Sequence, residues 1–274
     1  MFGRASRASA TPPPRCRVTA PQTKARPLST LISEEEAVRA DLAAAYRLVA
    51  HYGWDDLIFT HLSARVPGPE PHFLINPYGM LFEEITASSL IKIDLAGNKV
   101  DNSPYPVNPA GFTIHSAVHE AREDAHCVMH LHTVDGVAVS TMECGLLPQT
   151  QTAMFVHHDL AYHEYEGIAL DHEERPRLAA DLGEKNAMLL WNHGTLTLGN
   201  TIADAFIRMY ALERACSTQT RFMAASKIHE APEGVAEKVA QQVSSPEFSD
   251  VVVHRLAWPA LLRKLDRIDP SYRD

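Results

Sequence analysis

Val38, Leu42, Ala45 and Val49 recur at helical spacing, and Ser33 with Glu36 three positions later has the pattern of a capping box. A helix is therefore predicted from Ser33 to near Gly53. Residues 57–66 are rich in β formers and run into Pro67-Gly68-Pro69, which reads as a strand followed by a turn. Further strands are predicted at 72–76 and at 91–95, before the Ala96-Gly97-Asn98 turn. Residues 111–122 read as a helix, 127–132 as a buried strand, 134–142 as a helix and 187–191 as another strand. Thr201 and Asp204 then open a proline- and glycine-free segment reaching residue 226, the longest predicted helix. Alternating strands and helices without a repeat or an internal boundary imply one α/β domain over 34–226, built as a three-layer α/β/α arrangement. Residues 227–274 read as a C-terminal helical extension that packs on the domain or on a neighbouring subunit.

Charge and composition narrow the function classes. The 274-residue chain has 34 acidic and 25 basic residues, a formal net charge of -9, which argues against nucleic acid as a partner. Residues 1–33 reverse the sign, with six basic residues and no acid, but Pro12-Pro13-Pro14 breaks the amphipathic helix of a transit peptide. A disordered basic tail is expected there. No apolar run approaches the ~18 residues that span a bilayer, so no membrane partner is expected. Cys16, Cys127, Cys144 and Cys216 lack CxxC spacing, and a reducing, cytoplasmic setting follows.

Histidine changes the picture most. The chain has 15, and eight of them (His115, His119, His126, His130, His132, His157, His158 and His163) fall within 49 residues. On a strand, His130 and His132 share one face while Leu131 points to the other, so both imidazoles reach one ion. The apolar run Cys127-Val128-Met129 beside them makes unliganded histidines there costly. His193, between the apolar residues 187–191 and Gly194, is a candidate third ligand at a strand end.

In this setting residues 53–65, His72-Phe73-Leu74-Ile75-Asn76-Pro77-Tyr78-Gly79, Thr86-Ala87-Ser88-Ser89-Leu90, Ala110-Gly111-Phe112-Thr113-Ile114-His115-Ser116, His130-Leu131-His132-Thr133 and Asn192-His193-Gly194 resemble the class II aldolase/adducin superfamily. The resemblance covers roughly residues 36–226. It implies an α/β/α domain with a central, mainly antiparallel sheet, a homotetramer, and metal binding by His130, His132 and His193. The sugar-phosphate aldolases carry a catalytic glutamate where this chain has Gly111. Their phosphate loops correspond to Thr60-His61-Leu62-Ser63 and Asn76-Pro77-Tyr78-Gly79 here, which are bulkier; Ser63, Ser88 and Ser89 remain.

Within the superfamily the chain is similar to the non-haem iron oxygenases of aminocoumarin antibiotic pathways. That resemblance implies Fe(II), O₂ and an aromatic 2-oxo or 2-hydroxy acid, decarboxylated oxidatively through a mandelate to a 4-hydroxybenzoate. Gly111 is then expected to leave room for substrate or O₂. A Zn(II)-dependent aldolase, lyase or decarboxylase on a non-phosphorylated substrate is the alternative, and a non-catalytic adducin-like binding module the second. His115, one helical turn beyond Gly111, is a candidate for orienting substrate or a metal-bound water, and His61 and Tyr78 for contacting a carboxylate or phenol. His119 is expected to be exposed, and His157, His158 and His163 to be solvated or at an interface.

Overall fold

The computed structural model describes residues 28–168 and 172–274. Its centre is a seven-stranded sheet in the order β3-β2-β1-β4-β7-β6-β5. The strands are β1 (His61–Arg65), β2 (Phe73–Ile75), β3 (Ile91–Ile93), β4 (Cys127–Leu131), β5 (Leu160–His163), β6 (Ala187–Leu190) and β7 (Gly194–Gly199). Every neighbouring pair is antiparallel except β5 and β6.

Helices cover both faces, as the three-layer expectation required. On one face α1 (Leu28–Tyr52) and α6 (Ile202–Phe222) bury Leu42, Leu48, Phe206 and Met209 against Leu62, Met129 and Leu131 of β1 and β4. The short helices α3 (Val134–Ser140) and α4 (Gln151–His157) extend this layer over β5 and β6. On the other face α2 (Pro109–Ala121) and α5 (Arg175–Leu182) bury Ile114, Val118, Leu178 and Leu182 against Val128, Met188, Leu196 and Leu198. Among the described residues no helix is long and apolar enough to cross a membrane.

Boundaries differ from the sequence reading in instructive places. α1 already begins at Leu28, so Ser33 lies inside it; the expected tail upstream of Leu28 lies outside the described residues. The first strand starts only at His61, because Leu57 turns with φ 50° and Phe59 N–H donates to the Asp56 carbonyl at 2.9 Å. α6 starts as predicted, its Thr201 hydroxyl accepting from Asp204 N–H. After α7 (Val235–Val243), a π-helical segment Ser249–Ala257 leads into the helix Trp258–Ile268. That extension packs on its own domain: Trp258 and Leu265 join the α1 core, and Ala87 and Ser88 donate backbone bonds to the carbonyls of Tyr272 and Asp274.

Candidate metal centre

Strand register assembles the site. β1 and β4 pair His61 opposite His130 and Ser63 opposite Val128. Directly opposed residues share a face, so His61, Ser63 and His130 all point toward α2, while Leu62, Met129 and Leu131 enter the α1 core. From α2, His115 and His119, one turn apart, meet this face: the His115 ring lies 4.3 Å from His61, and His61 lies 5.5 Å from His130. All four imidazoles are buried.

At the open end of this layer three histidines converge. His130 lies one residue before the end of the buried strand β4, His132 directly follows that strand, and His193 projects from the tight β6–β7 turn. Asn192 makes that turn at φ 58°, a conformation asparagine tolerates better than most residues. Gly194 is required next to it, because a Cβ there would stand 2.4 Å from the Leu131 carbonyl oxygen. The His132 Nε2 atom lies 2.9 Å from His130 Nε2 and 3.0 Å from His193 Nε2.

Hydrogen bonds on the far side of the rings decide what those nitrogens carry. His130 Nδ1 faces the Thr195 carbonyl at 3.0 Å, which can only accept, so Nδ1 holds the proton. His132 Nδ1 faces the Asp56 carboxylate at 3.1 Å and donates to it in the same way. In the neutral rings both Nε2 atoms are then bare lone pairs pointing at each other, an arrangement that a cation between them resolves. Burial keeps His130 well below the usual histidine range and pushes His193 down to about 4, with the neighbouring imidazoles adding to both shifts. The three nitrogens form the one group among the described residues with the geometry of a metal site, and the donor set fits a divalent ion.

A buried carboxylate braces the triad from behind. Glu213 of α6 accepts from the hydroxyls of Thr133, next to His132, and of Thr195, at 2.8 Å in the second case. It thereby ties the end of β4 to the start of β7. Burial pushes its carboxyl up to about 7.

Other candidates are placed differently from expectation. The space over Gly111 is not open: a Cβ there would meet three atoms of the His61 ring at 2.9 Å, so the imidazole fills the volume that substrate or O₂ was expected to use. His119 is buried rather than exposed, because it reaches across to Ser63 and to the Ala125 carbonyl, each at 2.7 Å. His163 is likewise buried, between Asp181 at 2.7 Å and Glu174 at 3.4 Å, tying β5 to α5 and the segment before it. Tyr78 is half-buried in the turn after β2, and among the described residues the ring contacts of the triad involve His61 and Tyr165 rather than Tyr78. Ser88 and Ser89 hold their own turn and the C-terminal segment. The residues that sequence reasoning missed, Asp56 and Glu213, lie 76 positions from His132 and 80 from Thr133, and no local pattern marks them.

Residues 40–220 match the family described as Class II Aldolase and Adducin N-terminal domain. The chain is 57% identical over 246 residues to a putative aldolase class 2 protein of Caulobacter vibrioides, covering 89% of this chain and 95% of that one. It is also 46% identical over 195 residues to alpha-adducin of Mus musculus, covering 70% of this chain and 26% of that one. An aldolase II superfamily protein from Pseudomonas syringae superposes with a TM-score of 0.81 at 48% identity, over 88% of this chain and 96% of that one. The chain belongs to the class II aldolase/adducin family.

Proposed function

We propose that this protein is a metal-dependent enzyme that holds zinc on His130, His132 and His193 and makes or breaks a carbon–carbon bond beside the carbonyl of a small, non-phosphorylated substrate. The observation that carries the reading is the convergence of three Nε2 atoms, with that of His132 lying 2.9 Å from that of His130 and 3.0 Å from that of His193. The bound ion supplies a Lewis acid that polarises a carbonyl or hydroxyl oxygen. The chain's own residues do the rest. Thr195 and Asp56 fix the tautomers of two ligands, and Glu213 holds the two strand ends at the spacing the ligands need. The buried layer of His61 and His115 supplies neutral nitrogens next to the centre.

A phosphate cradle finds no support. His61 and Ser63 point into the layer under α2, and the Asn76 side chain accepts from Tyr46 at 2.9 Å. The relatives named putative aldolases favour bond cleavage over oxygen chemistry. The Fe(II) oxygenase of aromatic 2-oxo acids loses the room it needed at Gly111, although three imidazoles suit iron as well. Leu57, Phe59 and Val134 are exposed on the segments that carry Asp56, His61 and His132, which fits burial against a second copy. A cytoplasmic homotetramer is part of the reading.

The test is metal analysis of anaerobically purified protein with assays of carbon–carbon cleavage and O₂ uptake over a panel of 2-oxo and 2-hydroxy acids. Zinc with cleavage and no O₂ use is expected, and His132→Ala should abolish metal retention. Iron with O₂ uptake would replace this reading by the oxygenase, and no bound metal would replace it by an adducin-like binding module.

A further inference from the structure

Asp56 reaches His132 through a turn of unusual hand. The Asp56 carbonyl accepts from Phe59 N–H at 2.9 Å, which closes a turn with Leu57 and Ile58 at its centre, and Leu57 has φ 50°. A positive φ at the first central position belongs to the mirror-image turns, where glycine, asparagine or aspartate ordinarily supplies it. In a leucine it crowds Cβ against the backbone. Burial does not offset this cost, because the Leu57 side chain is 63% exposed and joins none of the core clusters. Among the described residues only Leu57 and Asn192 combine a side chain with positive φ. Asn192 delivers the metal-ligand candidate His193, and Leu57 follows the residue that orients His132. Backbone strain that persists without local packing gathers where the surrounding structure uses it.

Both ends of the segment are anchored. Trp54 N–H donates to the Val49 carbonyl at 3.0 Å, and the Trp54 ring stacks on Tyr52 at 4.8 Å and packs against Tyr210 at 5.7 Å. Downstream, His61 is registered opposite His130 in the sheet. Between these anchors the left-handed residue decides where the preceding side chain points, and an Asp56 carboxylate oxygen stands 3.1 Å from His132 Nδ1. A right-handed φ of about −65°, as in proline, differs from the 50° of Leu57 by about 115°. With His61 held in the sheet, a rotation of that size carries the Asp56 carboxylate away from the imidazole.

We propose that Leu57 is a positioning residue of the metal centre: its strained, left-handed turn holds the Asp56 carboxylate on His132 Nδ1, and so keeps His132 Nε2 as the lone pair that binds the ion. This rests on the reading of the three histidines as a zinc site. Leu57 acts through Asp56 and touches neither metal nor substrate. What the centre uses is the hand of the backbone at this position, and the leucine side chain is incidental to it.

Two variants of the full chain separate the hand of the turn from the side chain. Leu57→Gly removes the side chain and permits positive φ, whereas Leu57→Pro also removes it but imposes the opposite hand, at a position where right-handed turns favour proline. Zinc affinity, read by competition with a chromophoric chelator, should stay within about threefold in Leu57→Gly and fall about 10–100-fold in Leu57→Pro, the loss expected when the partner orienting a ligand is removed. In an Asp56→Ala background Leu57→Pro should cost nothing further. Unchanged affinity in Leu57→Pro overturns the proposal. So does an equal loss in Leu57→Gly, which would place the effect in the side chain, or a loss that recurs in full without Asp56. If Leu57→Pro does not fold, Leu57→Val, whose branched Cβ disfavours positive φ more than leucine does, is judged by the same criteria. Metal-free protein tests the positioning role apart from zinc. With ¹⁵N-histidine at about pH 8, where an ordinary imidazole is neutral, the His132 signals, identified by their loss in His132→Ala, should report the Nδ1–H tautomer in the unsubstituted chain and in Leu57→Gly. Leu57→Pro, or Leu57→Val in its place, should give a mixture, and an unchanged tautomer there overturns the proposal. A chain that binds no zinc overturns the metal reading, and the tautomers then still decide whether the turn orients His132.

Discussion

At Gly111 two residue-level effects oppose each other. Alanine in place of glycine within a helix ordinarily gains about 1 kcal/mol, but here the new Cβ would stand 2.9 Å from three atoms of a buried imidazole. Overpacking of this kind costs about 1–3 kcal/mol. His61 is held in a packed layer and has nowhere to swing, so Gly111→Ala is expected to lower the melting temperature, and thermal unfolding followed by circular dichroism reads the sign directly. Asp56 has the opposite profile. It is 43% exposed at the side chain and contributes little to packing, yet it orients His132. Asp56→Ala should leave stability nearly unchanged and weaken zinc affinity about 10–100-fold, measured by competition with a chromophoric chelator. His130 and His132 were legible in the sequence because the period of a strand brings positions two apart together. Asp56 was not, since its link to His132 exists only once β1 and β4 pair.

The brace between elements makes its own prediction. Glu213 of α6 holds its proton more tightly in the folded protein, at about 7, than its ordinary value of 4.5. Between these values the folded state binds more protons than the unfolded one, so its contribution falls as pH rises from about 4.5 and is gone above 7. Glu213→Gln keeps the shape without the titration. Denaturant unfolding at pH 5 and at pH 8 should show stability declining less with pH in the variant, by on the order of 3 kcal/mol at most. The helices α1 and α6 and most strands were legible from periodicity and caps. β7 was passed over although Thr and Leu alternate along it, and its threonine side is not solvated: Thr195 and Thr197 bond Glu213 and the Ala205 carbonyl. α4, at seven residues, is too short for a period of 3.6 to declare itself.

Over the whole molecule, the histidine layer trades acid resistance for chemistry. Burial lowers His61 and His119 to about 3, below the 6.5 of an ordinary histidine. The unfolded chain therefore gains protons first as pH falls below 6.5, and the stability these groups contribute at neutral pH is lost progressively toward 3. Metal-free protein is expected to unfold cooperatively in mild acid, and His119→Phe, which keeps a ring but removes the titration, should flatten the decline in a series of melting curves from pH 7 to pH 4. The order of motifs along the chain made the architecture legible. Its strand order was not, because β1 lies beside β4 and β4 beside β7, and such long-range neighbours leave no trace in local patterning.

His132 and His193 are 61 positions apart, yet their Nε2 atoms lie 3.0 Å from one another. Anything that bridges them closes the intervening chain, which contains α3, α4, β5, α5 and β6, into a ring. Such a closure does more than hold a reactant. It denies that part of the chain its independent opening motions, so amide hydrogens across the whole span should exchange with solvent more slowly when the bridge is in place.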